Sequence, residues 1–546
     1  MTQKSYRWIN LVLMLFLTGC ATVTRLSPAG EPTSTPQSAD QPQTTATQDM
    51  DAADIRFYYA PEVPQALRAQ VKLPAGVTVV NDPAKANVTY GLIQGGTPET
   101  QWVYALVAPF PTVMDDVAKA DLLAAWQGAG HSPQPLLVTP ETAGLLAAAW
   151  GTPAGNDVQE LPDDQLLAAA WDKQPSWAIV PFDELLPRWK VLSIDEATPL
   201  DRNLDLATYP LVMSFGLGGD SVAIQTLESL SKDGTFYLPA TNRDLSKLTI
   251  LNMTGTTALT RETAVVMDQK GVLYPASDIG DLLRSADLTH VSNEVPFMQN
   301  CPPTDPNGLK FCSKPDYMQL LLDIHANIIE LTGNHEMDYG ADPLLYTLQL
   351  YKENNLPYYG GGENQADAEK PLYIDNHGNH LVFIGCNSIG PESDFATEDQ
   401  PGALRCDRDW LKTEIAAVKA AGYLPIVTFQ SMETCTFTPS PVETGDMQAA
   451  ADDGAVIVSG SQAHCPQTMT FEGDTFIHYG LGNLFFDQED MLSGKAFIDR
   501  HYIYDGRYIS TQLFTIKLED HAKPVFMTQD ERESLLSQVF AASEWQ

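Results

Sequence analysis

The sequence predicts an α/β protein in two folded parts, carried behind a leader and a polar tether. Two patterns predict it. Short apolar runs bounded by turn residues alternate with helix-patterned stretches along both parts, as in layered α/β architecture. In the second part, polar residues recur just past the apolar runs, where α/β sheets assemble a site from several loops. The length of 546 residues leaves room for two or three domains.

Lys4 and Arg7 precede the apolar run Leu11-Val12-Leu13-Met14-Leu15-Phe16-Leu17, which ends in Thr18-Gly19-Cys20. A basic end, a short hydrophobic run and small residues form a secretory signal. The run is too short to span a bilayer as a mature helix. Leu17-Thr18-Gly19-Cys20 resembles a bacterial lipobox. That resemblance implies a signal peptide over residues 1–20, acylation of Cys20, and an extracytoplasmic protein anchored by lipid to the cell membrane. Residues 21–50 are rich in Thr, Ser, Pro, Gln and Ala, a composition that buries no core and is expected to form a disordered linker. The formal net charge of −38 makes nucleic acid and anionic lipid surfaces poor partners.

Seven cysteines are present. With Cys20 assigned to lipid, Cys301, Cys312, Cys386, Cys406, Cys435 and Cys465 remain, and an even number in an oxidising compartment favours disulfides. Nearest-neighbour pairing joins Cys301 to Cys312 and Cys386 to Cys406. A soft-metal site on Cys435, His464 and Cys465 is the alternative use of the last pair.

Residues 51–245 form one α/β unit. Strand-like runs at 78–80, 88–93 and 103–107 alternate with helix-patterned 118–126, 141–150 and 164–171. Several phrases, Leu122-Leu123-Ala124-Ala125-Trp126-Gln127-Gly128, Pro135-Leu136-Leu137-Val138 and Ser176-Trp177-Ala178-Ile179-Val180-Pro181-Phe182 among them, resemble the two-lobed periplasmic solute-binding proteins of the phosphate- and molybdate-binding sort. The resemblance implies a cleft for a small ligand or a piece of glycan. A ligand-free scaffold with its Trp residues in the core is the alternative, and no ligand residue stands out.

Residues 246–515 begin with the strand-like Lys247-Leu248-Thr249-Ile250-Leu251-Asn252, followed by Gly255-Thr256-Thr257. A helical stretch at 278–286 leads to a strand and loop ending at Glu294. The apolar run 327–331 then stops at Gly333-Asn334-His335, ahead of a helix-patterned stretch from Asp342 to Glu353. Asn334 and His335 therefore sit in a loop at a strand's carboxyl end, an amide oxygen beside a group that ligates metal or moves a proton near pH 7. The alternative is that both only cap the helix and tie the turn. Further strand ends follow at Gln430, at Gln462-Ala463-His464 and at Gly482-Asn483. Residues 516–546 read as a C-terminal extension whose helical stretch from Asp530 to Ser543 packs on the body.

Gly333-Asn334-His335 with Asp338-Tyr339-Gly340, Tyr359-Gly360-Gly361-Gly362 and Gly480-Leu481-Gly482-Asn483 occur in an order that resembles the CapA family of capsule or poly-γ-glutamate synthesis proteins. The resemblance spans about residues 246–515 and implies a calcineurin-like metallophosphatase fold of four layers, αββα. In such sites two metals clamp a phosphoryl group and activate water. Transferred residue by residue, it makes Glu294 a bridging carboxylate, Asn334 a metal ligand, His335 the proton-handling residue, assisted by Asp338, and His464 the last histidine ligand. Asn334, Gln430, Glu433, Gln462 and Asn483 are the candidates for touching substrate.

Three positions depart from the family pattern. Thr256 stands where Asp is expected, and Gln430 and Gln462 where His is expected. Hydroxyl and carboxamide are weak neutral donors beside carboxylate and imidazole. What remains suits at most one divalent cation (Mg²⁺, Mn²⁺ or Ca²⁺), or none. A disulfide between Cys435 and Cys465, each a few residues beyond an altered glutamine, becomes plausible if their strands are neighbours.

Three expectations follow: a CapA-like lipoprotein serving a surface polymer, with a glycan or a membrane-bound polymer synthase as partner; a metal-dependent phosphoester or amide hydrolase; or a solute- or glycan-binding lipoprotein.

Overall fold

The computed structural model describes residues 50–128, 135–303, 305, 308–490 and 492–545. Cys20, the expected leader and nearly all of the linker lie outside them. Among the described residues no helix is long and apolar enough to cross a membrane.

The first domain is α/β, as expected, with one mixed sheet in two halves. Thr78–Val79, Arg56–Tyr59, Val88–Leu92 and Val212–Gly219 form one half, and Trp177–Pro181, Leu136–Val138 and Val158–Glu160 the other. The strand Thr100–Pro109 belongs to both. Its residues 100–103 pair with Val212–Gly219, and residues 104–109 pair with Trp177–Pro181 and Trp189–Ile194. Nearly every residue of this strand is buried, so it reads as a continuous apolar run rather than an alternating one. The helix Pro140–Trp150 starts where the Thr139 side chain accepts from the Thr142 amide and Pro140 occupies the first turn, two signals that favour a helix start. Trp102, Trp126, Trp177 and Trp189 are all core.

The second domain has two facing sheets. The first runs in the order Tyr358–Tyr359, Ile328–Glu330, Leu288–Asn293, Leu248–Thr254, Lys495–Tyr504, Arg507–Glu519, Lys523–Phe526. The second runs Leu372–Asn376, Asn379–Asn387, Leu424–Gln430, Ile457–Ser461, Thr475–His478, Met469–Glu472. Between them, Leu251, Met253 and Leu288 of one sheet share a core with Phe383, Ile426 and Phe476 of the other. The outer face of the first sheet packs on helices that include Arg261–Lys270 and Ala341–Glu353, and that of the second on Arg408–Ala420 and Pro441–Asp453. The layering is αββα. Leu248–Thr254, Leu288–Asn293 and Ile328–Glu330 of the first sheet run parallel to one another, as do Asn379–Asn387, Leu424–Gln430 and Ile457–Ser461 of the second, which puts their carboxyl ends, and the loops that follow, on one rim.

The strand Arg507–Glu519 runs through residue 515, so the C-terminal stretch is continuous with the sheet. The helix Gln529–Ala542, opened by a reciprocal Thr528–Glu531 capping box, buries Leu535, Leu536, Val539 and Phe540 in the inter-sheet core.

Candidate functional site

Four strand ends meet in one pocket. Glu294 follows Leu288–Asn293, Asn334 and His335 lie beyond Ile328–Glu330, Gln430 ends its strand, and Gln462 follows Ile457–Ser461. The Gln430 amide nitrogen donates to Asn334 Oδ1 at 3.1 Å, to Glu294 Oε1 at 3.4 Å and to Gln462 Oε1. Its own oxygen accepts from Ser461 Oγ at 2.7 Å, which fixes which way the amide points. Glu294, Gln430 and Gln462 are buried. Gly333 makes this approach possible, because a Cβ there would lie 2.7 Å from Glu294 Cα. Gln462 and His464 have φ of 76° and 53°. Left-handed backbone outside glycine costs on the order of 1–3 kcal/mol and gathers at functional sites.

His335 is oriented from two sides. Asp338 Oδ2 lies 2.8 Å from its Nδ1 and also accepts from the Phe311 amide at 2.6 Å. The Phe311 ring is 4.2 Å from the imidazole. Burial disfavours the charged imidazole, but the hydrogen bond to Asp338 and the charges of Glu294, Asp338 and Asp394 outweigh it and raise its pKa. His335 Nε2 has no partner among the described residues, so it is the nitrogen available to a ligand. Behind the loop, Glu336 is fully buried, and neither carboxyl oxygen has a hydrogen-bond partner among the described residues. Burial, then Asp394, Glu294 and Asp338, hold its pKa well above the carboxylate range. Asp394 is pushed up to about 7, chiefly by burial and then by Asp338.

His464 Nδ1 is 2.8 Å from Asn483 Oδ1, and Asn483 Nδ2 donates to His464 O, Gln488 Oε1 and Ser493 O. Asn483, expected to touch substrate, instead spends its amide on orienting His464. Glu433 is exposed and has no hydrogen bond or ion pair among the described residues. Thr256 Oγ1 accepts from the Gln462 backbone N–H at 3.4 Å.

Three disulfides join Cys301 to Cys312, Cys386 to Cys406 and Cys435 to Cys465, with Cα–Cα distances of 5.9, 5.0 and 5.1 Å. The two neighbour pairings and the conditional third are all present. The soft-metal alternative on Cys435, His464 and Cys465 falls, because both sulfurs are bonded to each other and neither is a thiolate. Phe311 is the residue no motif marks. Its only signal is its place beside Cys312, in a loop the disulfide holds against His335.

The donor set does not fit a two-metal centre as it is arranged. Glu294 Oε1, Asn334 Oδ1 and Gln462 Oε1, the oxygens that would face a cation, converge on the Gln430 amide instead. Among the described residues no three His, Cys, Asp or Glu side chains gather around one point. Glu294 Oε2 is buried and has no partner among the described residues.

The layers and the rim pocket define a metallophosphatase-like αββα domain whose site is built largely from side-chain amides. Residues 250–488 match the model of the bacterial capsule synthesis protein PGA_cap, so this region of the chain is similar to that family. The capsule biosynthesis protein CapA of Bacillus anthracis is 25% identical over 301 residues, 54% of this chain and 73% of that protein. The PGA biosynthesis protein CapA of Bacillus subtilis is 24% identical over 226 residues, 41% of this chain and 59% of that one. Among solved structures, a 5'-nucleotidase precursor from Thermus thermophilus aligns with a TM-score of 0.31 at 11% identity, over 54% of this chain and 59% of its own. An ABC-type phosphate transport receptor from Vibrio cholerae aligns with a TM-score of 0.27 at 13% identity, over 34% of this chain and 99% of its own.

Proposed function

We propose that the protein is a lipid-anchored, extracytoplasmic member of the CapA type that serves the synthesis, export or attachment of a poly-γ-glutamate-like surface polymer. The reading holds that its metal site is degenerate. One observation carries it: in a region that matches a capsule-synthesis family, Glu294, Asn334, Gln430 and Gln462 meet from four strand ends, and an amide takes the oxygens a metal would take. Such a pocket offers hydrogen-bond donors and acceptors to the amides or hydroxyls of a polymer, with the His335–Asp338 pair as a proton-handling group. Any cation it takes is a single Mg²⁺, Mn²⁺ or Ca²⁺, held weakly on Glu294 with neutral oxygens. Acylation of Cys20 and the polar residues that follow it place the body outside the membrane, within reach of a membrane-bound synthase. The first domain contributes a cleft for a small solute or a glycan piece.

The test is polymer output in cells that depend on this chain. Both His335→Ala and Glu294→Gln are expected to reduce the polymer retained at the surface while protein levels stay constant. Unchanged polymer in both strains sinks the assignment of function to this pocket.

A further inference from the structure

Arg261 opens the helix Arg261–Lys270 with a φ of 51°, a left-handed backbone that a full side chain adopts only where its surroundings hold it. Its guanidinium carbon lies 5.8 Å from the Phe311 ring centre and 5.4 Å from that of Phe486. The same two rings, 6.1 Å apart, back the imidazoles of the pocket: Phe311 sits 4.2 Å from His335, and Phe486 sits 5.4 Å from His464. Arg261 Nε donates to Asp487 Oδ2 at 3.1 Å, and the same oxygen accepts from the Glu262 amide at 3.0 Å. Asp487 is buried, whereas the Arg261 side chain is 24% exposed. Its Nη1 and Nη2 have no partner among the described residues. One cation is thus held rigidly by its Nε and its faces while its outer fork is left open.

We propose that Arg261 is the anion-recognising residue of the pocket, pairing its open fork with a carboxylate or phosphate group on a ligand that reaches His335. A guanidinium fork matches two oxygens of such a group at once, which a lysine ammonium does not. The chain's net charge of −38 repels anions in general, but that field is screened beyond about 8 Å at physiological ionic strength. Close in, the local cation decides. Asp487 meets Arg261 only through Oδ2, which takes Nε and the Glu262 amide, while its Oδ1 is buried with no partner among the described residues, so it does not occupy the outer fork. The inference names the charge class of the ligand for the same pocket and rests in that respect on the function proposed above.

The experiment is calorimetric titration of the full-length chain in detergent with two probes: a short γ-linked glutamate oligomer, and inorganic phosphate. At least one is expected to bind, more weakly as salt rises. Binding of the oligomer alone identifies a carboxylate ligand, and binding of phosphate alone a phosphate ligand. Arg261→Gln is expected to weaken the bound probe at least 10-fold, and Arg261→Lys by a smaller factor, because it keeps the charge and loses the fork. If neither probe binds the parent, or Arg261→Gln binds as the parent does, the proposal is overturned. Should Arg261→Gln fail to fold, phenylglyoxal modification of the native chain, read by peptide mass, replaces it. The bound probe is expected to protect Arg261 and not the exposed Arg56, and equal modification with and without probe overturns the proposal. Polymer output in His335→Ala cells is a separate readout, so the functional reading and the role of Arg261 fail independently.

Discussion

A single primary amide, that of Gln430, holds three oxygens from three other loops, and two predictions belong to that residue. Gln430→Ala leaves those oxygens without their shared donor in a buried place, where an unmet polar group costs about 1–3 kcal/mol. Urea unfolding of the variant is expected to show a loss on that scale, and an unchanged midpoint contradicts the hydrogen bonds. Gln430→His together with Gln462→His puts two imidazoles where the pocket now has amides, and His is among the residues most tolerant of the left-handed backbone at 462. The double variant is expected to bind Mn²⁺ at least about 10-fold more tightly than the parent, the scale on which even outer-shell ligand changes act. Equal affinity by calorimetry shows that more than these two positions bars a metal. The Asn334-His335 loop was legible in the sequence because Gly333 and a helix start bracket it. The direction of the Gln430 amide was not, because it is set by Ser461 and Glu294, 31 and 136 residues away. The contact of Asn483 with His464, 19 residues away, was hidden too: a polar residue past a strand looks alike in sequence whether it faces a ligand or a histidine.

Among the elements, the Cys301–Cys312 loop and the strand Lys495–Tyr504 each carry a prediction. The disulfide positions Phe311, whose amide meets Asp338 and whose ring meets His335. Replacing both cysteines by Ser is expected to cost about 2–4 kcal/mol, read as a lower denaturation midpoint under oxidising conditions only; an equal loss in reductant refutes it. His501 lies between the sheets, its Nδ1 2.6 Å from Thr511 Oγ1. Burial first, then the nearby His478 and His290, depress its pKa to about 4, against the opposing charge of Asp499. The unfolded chain takes up this proton near pH 6.5 and the folded chain only near pH 4, so stability declines as pH drops across that window, by about 3 kcal/mol in all. In His501→Phe, Thr511 keeps Tyr508 as its partner, and the stability difference between pH 7 and pH 4.5 is expected to shrink by about 2–3 kcal/mol. No shrinkage means that other groups carry the acid sensitivity. The strands and helices that were legible are those whose runs have a clear period and clear ends; Val212–Gly219, Asn379–Asn387, Lys495–Tyr504 and Arg507–Glu519 were not among them. The polar groups between the sheets were not legible either, since a histidine in an apolar strand gives no sign of which face it takes.

At the scale of the whole molecule the question is how two domains with separate sheets come to act as one body, residues 50–546 forming a single compact unit. The first domain sends Phe110, at the end of its central strand, into an aromatic nest of Phe471, Phe476, Phe540 and Trp545, with ring centres 5.1, 5.3, 6.4 and 6.0 Å away. Beside it Asp115 accepts from Arg532 of the C-terminal helix through both oxygens, at 2.6 and 2.8 Å, and lies 2.8 Å from Lys190. Burial pulls the Asp115 pKa up, but Arg532 and Lys190 outweigh it and bring it down to about 2. A carboxyl depressed in the folded state stabilises above its unfolded pKa of about 4 and loses that contribution as pH falls through 2, so the charged part of this latch holds throughout the neutral range. The apolar part is the larger. Removing a buried phenyl ring costs about 3–5 kcal/mol, and here the loss falls on the joint, where Phe110 of the first domain enters the edge of the inter-sheet core of the second. Phe110→Ala is therefore expected to leave each domain folded while separating their unfolding: scanning calorimetry should show one transition in the parent and two in the variant. A single transition shifted bodily downward would mean that the domains are coupled elsewhere, for which the next place to look is the Tyr504 hydroxyl, which accepts from the Asp244 amide and donates to Asn242 O across the same boundary.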